Sequence, residues 1–569
     1  MKKFFKYTAI ILLLIILLPV GFISVLYMKA DMGEPTVKID TAAYKVIDYG
    51  NYTQCNKSML RKNSSGIWEL YTEGDAVARG AETGALTKNL MRYQEDVFIA
   101  QIREIIPSDS YLKFLRTMIM VFNRNLGKYI DEQYRTEIYA SSLFCTHEYD
   151  AIGNPYERQL NYHAAHDIGH TMQQYMLVGC SSFAAWGTNS LDSTLIVGRN
   201  FDFYVGDDFA KNKLITFCAP STGYRFASIG WPGMTGVLSG MNETGLTVTI
   251  NAAKGALPTS AATPISIVTR EILQYASTVE EAYKIAADRQ TFVSESILIS
   301  SATDKYAAII EKTPHKTALY KPSGTLLLCT NHYQSALFAD DPYNQENIAG
   351  SDSQYRWKRL EQLTKANAPI CVRSAAAVLR NQQGLNGEDV GLANEMTLNQ
   401  SIAHHSVIFK PEQLKMWVST TPWQAGKYIC YDLNKIFGLR KDATNETAGK
   451  GKSTILPDFS TELQDTTLSI AADSLYLAKD YKRIIAYRQQ ILQLKHAIGQ
   501  KQMIPKEFIH NFETINPENY YTYKILADYY MTQGDKSLAK RYYKQALDHR
   551  IPYLSERTDI EKLVNRLLK

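Results

Sequence analysis

The chain of 569 residues lacks several features that would settle its class at once. Its seven cysteines (Cys55, Cys145, Cys180, Cys218, Cys329, Cys371 and Cys430) form no C-x-x-C pair. That excludes a zinc ribbon and a thioredoxin-like motif. An odd count leaves at least one thiol unpaired, and the ordinary role of any single cysteine is that of a small buried hydrophobe. The formal net charge is only +5, and no basic cluster follows the first few residues, so nucleic acid is not an expected partner. No phosphate-binding or redox motif asks for a cofactor, and none is expected. No small-residue A-x-A site follows the amino-terminal apolar run, and no cysteine is placed there for lipidation.

What is present has the composition of a globular protein, 45% hydrophobic and 21% charged, too long for one ordinary core. The start carries Lys2, Lys3 and Lys6, then an almost purely apolar run from Tyr7 to Met28. That run is long enough to cross a bilayer as a helix, with the lysines on the cytoplasmic side. Residues 1–29 therefore read as an uncleaved signal anchor, with the rest of the chain on the periplasmic side of a bacterial envelope. A cleaved signal peptide and a secreted protein form the alternative.

Residues 30–179 read as a helix-rich amino-terminal segment. Ala30 to Ser65 is polar, like a stalk or wrapping arm. Gly66 to Tyr71 alternates like a strand, and helices are expected over Ala85 to Ile106 and Tyr111 to Tyr129. His163, His166 and His170 raise the idea of a metal site. The glutamate of an H-E-x-x-H arrangement is missing, and no metal is expected. From 180 to 438 the texture changes to short β-like runs, with a hairpin over Val237 to Asn251 turning at Asn242-Glu-Thr-Gly245. Helices interrupt at 265–276, 279–288, 354–365 and 374–381. Strands, then helices, then strands indicate a layered α+β domain with antiparallel sheets. Residues 439–459 read as a polar linker and 460–569 as helical. Tyr521 to Pro552 has close to the spacing of a tetratricopeptide repeat, a surface on which a protein partner could dock.

The chemistry points to Cys180, which follows Gly179 and precedes two serines. A thiol needs a base, and the α-amine of an amino-terminal cysteine supplies one on the same residue. Cleavage between Gly179 and Cys180 would free that amine, and a glycine tolerates the strained backbone such a step requires. A separate histidine is the alternative base; His163, His166, His170, His332, His404 and His405 keep it open.

Gly179-Cys-Ser-Ser, Gly198-Arg-Asn-Phe-Asp202, Gly240-Met-Asn-Glu-Thr-Gly-Leu246, Cys329-Thr-Asn-His332, Ser353-Gln-Tyr-Arg356 and His405-Ser-Val-Ile-Phe409 with Trp417-Val-Ser419 occur in that order. So does an upstream Gly74-Asp-Ala-Val-Ala-Arg-Gly80 with Gly84. Together they resemble the N-terminal-nucleophile hydrolases of the penicillin-acyltransferase peptidase family (C45), related to choloylglycine hydrolases. The resemblance implies a four-layer αββα sandwich and a nucleophile, Cys180, made by autoproteolysis after Gly179. It implies Arg199 and Asp202 as the pair that orients the cysteine, Asn331 as an oxyanion or amine-orienting residue, Asn251 as a second oxyanion donor and Arg356 as a late arginine of the site. It implies a hydrolase or acyltransferase acting through a thioester on amide bonds of small N-acyl compounds. A surface-anchored scaffold with an inactive hydrolase domain is the competing expectation, and a histidine-bound metal hydrolase a third.

Overall fold

The computed structural model describes residues 21–23, 25–26, 28–105, 109–171, 178–439 and 456–567. The expected membrane anchor over residues 7–28 falls mostly outside them. Among the described residues no helix is long and apolar enough to cross a membrane.

Two sheets organise the chain. The larger holds β1 (Ile47–Asp48), β2 (Thr53–Cys55), β3 (Ser58–Lys62), β4 (Trp68–Gly74), β7 (Leu214–Pro220), β8 (Phe226–Gly230), β9 (Ser239–Asn242), β10 (Leu246–Ala252), β11 (Glu295–Ser301), β12 (Tyr306–Lys312) and β13 (Thr317–Tyr320), side by side in that order. The smaller runs β14 (Leu326–Cys329), β5 (Val178–Ala185), β6 (Ile196–Phe203), β15 (Ala403–Lys410), β16 (Lys415–Ser419), β17 (Tyr428–Asp432) and β18 (Gln464–Ile470). Neighbouring strands pair antiparallel except β4 and β7, which are parallel from Trp68↔Leu214 to Gly74↔Pro220.

An apolar core between the sheets takes Val197, Val407 and Val418 from the smaller one and Ile215, Phe217, Met241, Leu298 and Ile309 from the larger. The far face of the larger sheet buries Val248, Ile250, Ile297 and Ile299 under the helices Ile265–Tyr275 and Val279–Asp288. The far face of the smaller sheet buries Phe183, Ile196 and Ile408 under Ser353–Ala366 and Val372–Leu379. The order is helix, sheet, sheet, helix, an α+β architecture. Leu246–Ala252 is buried along its whole length although it alternates apolar and polar residues, and Thr247 and Asn251 meet Ser300 and Ser182 through hydrogen bonds. The hairpin expected at Asn242–Gly245 is present. The Asn242 side-chain oxygen accepts from the Thr244 and Leu246 amides, and Gly245 takes φ +78°.

Two elements differ from the sequence reading. The arm before Ser65 is not a stalk. It carries β1, β2 and β3, whose Met59 and Leu60 are buried, so the segment before Cys180 supplies four strands to the larger sheet. The carboxy-terminal part does not begin as helix, because Gln464–Ile470 adds an edge strand to β17. Its β-branched Thr466 and Thr467 favour that state. Beyond it, the helices Asp480–Gln500, Lys506–Ile515, Tyr520–Thr532, Lys536–Leu547 and Leu554–Arg566 share their own core. The repeat-like spacing falls on the hairpin of Tyr520–Thr532 and Lys536–Leu547. A smaller cluster of Ala403, Trp423, Ala425, Tyr476 and Ile484 joins the start of this region to the sheets.

The early glycine motif has a packing reason. Helix Ala76–Ile105 crosses helix Glu132–Ser142 so closely that a Cβ on Gly80 would lie 2.3 Å from the Glu137 carbonyl oxygen. On Gly84 it would lie 2.7 Å from the Ser141 carbonyl oxygen. Backbone cannot yield as a side-chain tip can. Gly80→Ala is expected to lower stability by about 1–3 kcal/mol, as overpacked sites do. Thermal unfolding measures it; an unchanged midpoint would contradict the packing.

Candidate active site

Strand β5 carries Cys180 into the space between the two sheets. Its neighbours in register are Phe201 on β6 for Cys180 and Asp202 for Gly179. Cys180 is fully buried, and three polar groups converge on it. Its backbone N–H donates to Asn331 Oδ1 at 3.0 Å. Its carbonyl oxygen accepts from Arg356 Nη1 at 2.7 Å. Its sulfur accepts from Arg199 Nη2 at 3.8 Å. Burial pushes the thiol up to about 11; Arg199 and Arg356 pull the other way, and Asp202 and Glu295 add to the rise. The thiol is therefore protonated at neutral pH and needs a base before it can attack.

Arg356 is held at the start of helix Ser353–Ala366. Its Nε donates to Asp352 Oδ2 at 2.7 Å, and its remaining donors reach Ser181 Oγ at 3.1 Å and Asn331 Oδ1 at 2.6 Å. Asn331 is fixed in turn. Its Nδ2 donates to the Ala252 carbonyl at 2.8 Å, and its N–H donates to Ser353 Oγ at 2.9 Å. Asn251 sits one step away. Its Oδ1 accepts from Ser182 Oγ at 2.7 Å, and its Nδ2 donates to the Cys329 carbonyl at 3.3 Å. Five of the six expected residues thus meet at or beside Cys180, with Asn251 joined through Ser182.

The expected Arg199–Asp202 pair is not formed. The two are three apart on β6, an odd separation that sends side chains to opposite faces of a strand. Arg199 points between the sheets, stacks over Phe201 at 4.3 Å and donates to Ser239 Oγ and the Ile250 carbonyl. The Asp202 carboxylate is fully buried, and neither of its oxygens has a hydrogen-bond partner. Burial pushes this carboxyl up to about 8, against the pull of Arg356 and Arg199.

A histidine base is also not built. Of the histidines whose side chains are described, none hydrogen-bonds Cys180. His163 Nε2 accepts from the Thr235 and Gly236 amides, and its Nδ1 faces the Gln159 carbonyl. His332 Nδ1 meets Ser353 Oγ, and burial lowers its ring to about 4. Arg199 can only donate, so His405 Nε2, 3.2 Å from its Nη1, is the acceptor. The His405 Nδ1 proton then goes to His404 Nδ1 at 3.0 Å, and both rings are kept neutral by burial. The side chains of His166 and His170 lie outside the described ones. Among the described residues no cluster of three or more His, Cys, Asp or Glu could hold a metal.

Residues 188–421 match the family model described as acyl-coenzyme A:6-aminopenicillanic acid acyl-transferase. The match covers less than half of the chain. An uncharacterized protein of Archaeoglobus fulgidus shares 22% identity over 278 residues, 43% of this chain and 44% of that relative, so the chain spans less than half of the relative's length. Among solved structures, the N-acylethanolamine-hydrolyzing acid amidase ortholog of Caenorhabditis elegans is 16% identical. It covers 41% of this chain and 93% of its own, with a TM-score of 0.31. A mutant of the conjugated bile acid hydrolase of Clostridium perfringens is 14% identical. It covers 45% of this chain and 93% of its own, with a TM-score of 0.32.

The matched stretch supplies Arg199, Asp202, Asn251, Asn331 and Arg356, while Cys180 lies just before it. Two supporting residues escaped the sequence reading: Ser239, which holds Arg199 together with His405, and Asp352, which holds Arg356. Only Asp352 had a visible signal, the i,i+4 acid–arginine spacing at a helix start. The orphaned Asp202 makes a pH test possible. Its carboxyl is raised in the folded chain, so the stability it confers is full below the unfolded value near 3.8 and is lost as pH rises through about 8. In an intact Cys180→Ala chain, unfolding stability should fall by a few kcal/mol between about pH 4 and 8. Adding Asp202→Asn should flatten that part of the curve. Parallel curves for the two chains in denaturant titrations would contradict the buried, unpaired carboxyl.

Proposed function

We propose that the chain is an N-terminal-nucleophile amidohydrolase or acyltransferase in which Cys180, freed by cleavage after Gly179, attacks the amide bond of small N-acyl compounds. One observation carries the reading. Asn331, Arg356 and Arg199 each hold a different atom of Cys180, while a buried carboxylate with no partner, Asp202, faces Gly179 across the β5–β6 pair. An ordinary buried cysteine has no use for that arrangement.

In processing, Cys180 Sγ adds to the Gly179 carbonyl carbon. The C–N bond breaks, the acyl group moves to sulfur, and the nitrogen becomes the α-amine of Cys180. Water then cleaves the thioester, leaving the Gly179 carboxylate and a free thiol. In turnover the amine takes the thiol proton and Sγ attacks the substrate carbonyl. The substrate C–N bond breaks, and the ammonium returns its proton to the leaving amine. Water or a second amine removes the acyl group from sulfur. Asn331 Oδ1, which now accepts from the Cys180 amide, keeps the same nitrogen when it becomes an amine. Asp202 gains in the ammonium the charged partner it lacks, which favours its ionised form. Asn251 serves as an oxyanion donor by exchanging its long 3.3 Å bond to Cys329 for the developing charge. The apolar run at the amino end supports anchoring of the enzyme on the outer side of a cytoplasmic membrane, which fractionation of cells tests.

Mass spectrometry of the purified protein should find two chains, the second beginning at Cys180. Cys180→Ala should remain one chain and lose amide cleavage. An intact wild-type chain that still cleaves amides would sink the processing step. A fully active Cys180→Ala would sink the nucleophile. The two wild-type pieces should elute together in gel filtration and part only in denaturant. Arg356→Lys keeps the charge but not the planar fork. It should slow the appearance of the second chain on the order of 10²-fold, the cost of a small misplacement of reacting groups. Wild-type kinetics in that variant would remove Arg356 from the mechanism.

A further inference from the structure

We infer that the carboxy-terminal helix Asp480–Gln500 forms one wall of the site that binds the acyl half of the substrate, and that this half is a long, mainly apolar arm. The inference rests on the Cys180 reading above. The same sulfur attacks the Gly179 carbonyl in processing and the substrate carbonyl in turnover, so the substrate's acyl group must take the place that Gly179 leaves. Among the described residues a large cleft opens beside it. The Gly179 α-carbon lies against the side chain of Gln400, whose amide would be 2.8 Å from a Cβ there. Its cross-strand partner Asp202 leads along β6 to Tyr204 and Val205. Gln400, Tyr204 and Val205 all line one cleft of about 740 Å³. Clefts of roughly 300–1,000 Å³ suit ligands of substantial size. The cleft beside Phe203 and Trp231 on the other side measures only about 50 Å³, room for a few waters.

The opposite wall of the large cleft is Ile485, Arg488 and Leu492 of helix Asp480–Gln500, with Val97 and Ala100 of helix Ala76–Ile105 at its side. None of these lies in the stretch that matches the acyltransferase family. The wall offers little charge to an incoming group. Arg488 is already paired with Asp207 at 3.1 Å, donates to the Ser401 carbonyl and stacks on Tyr204 and Trp423. Glu395 is held neutral at pH 7 by burial, which pushes its carboxyl up to about 8. Asp208 and Lys495 are exposed to solvent. Aliphatic and tyrosine side chains make up most of the remainder, a lining for hydrocarbon.

The test narrows the cleft from two solvent-exposed positions, Ala100→Trp and Leu492→Trp, in the full chain. Binding of dodecanoate, the product of a long-chain substrate, is measured by calorimetry beside acetate. Wild type should bind dodecanoate and not acetate, and the double variant should bind dodecanoate about tenfold or more weakly. In turnover the variant should raise KM for an N-dodecanoyl amide by a larger factor than for the N-acetyl analogue. Wild type that ignores dodecanoate, or a variant that binds it equally, overturns the inference even where Cys180-dependent cleavage persists. If the cleft binds as expected while Cys180→Ala stays active, the cleft stands and the nucleophile assignment falls.

Discussion

The structure depends most on the guanidinium of Arg356. Burying a cation costs several kcal/mol unless its donors are all answered. Arg356 answers them with Asp352, the Cys180 carbonyl, Ser181 and Asn331, and so ties helix Ser353–Ala366, strand β5 and the loop after β14 to one point. Cys180 cannot shift without breaking a charge-assisted bond inside the protein. The geometry at the cysteine is therefore set by the cost of leaving a buried charge unmet, more than by the packing of the cysteine itself.

Asp202 shows the same cost left unbalanced. Arg356 has its partners and Arg199 lacks one only at Nε, whereas neither oxygen of the Asp202 carboxyl has one. A buried polar group in that state is destabilising in the intact chain and favours any change that brings it a donor. A new α-ammonium on the neighbouring strand is such a donor. Under the proposed processing such strain has a use, because one chain would serve first as precursor and then as enzyme.

Much of this was legible in the sequence. The runs of buried strand, the Asn242–Gly245 hairpin and the helices after it follow from turn chemistry and apolar periodicity. The family resemblance implied Asn331 as an orienting residue and Arg356 as a late arginine of the site, and both bond to Cys180. What escaped was mainly which edge or side chain a group would find as its partner. The short strands before Ser65 look polar because β1 buries neither residue and β2 only Cys55; they reach the sheet through local hairpins to β3, which pairs with β4. Gln464–Ile470 is a strand because β17 had a free edge, a fact no local pattern carries. The Arg199–Asp202 pairing failed on strand parity, which could have been counted. The histidines failed because Arg199 claims His405 as an acceptor, and that is visible only once Ser239 and His405 stand beside it.

Cleavage after Gly179 would not divide the molecule at a domain boundary. β4, from before the cut, pairs in parallel with β7, from after it, over seven residues. The joint is reinforced above the sheet. Glu137, on the early side, binds Arg79 of its own side at 2.6 Å and Arg270 of the far side at 3.2 Å. Burial works against that carboxylate, yet the two arginines hold it below its ordinary range. Met59, Ile67 and Tyr71 from the early segment complete the core between the sheets. Separating the pieces would expose that core and leave Arg270 buried without its carboxylate, a change on the order of the 3–5 kcal/mol that breaking such a pair costs, before any apolar area is counted. The segment ahead of Cys180 is thus part of the sheet core, and an amino terminus made at Cys180 would open inside a body that stays whole.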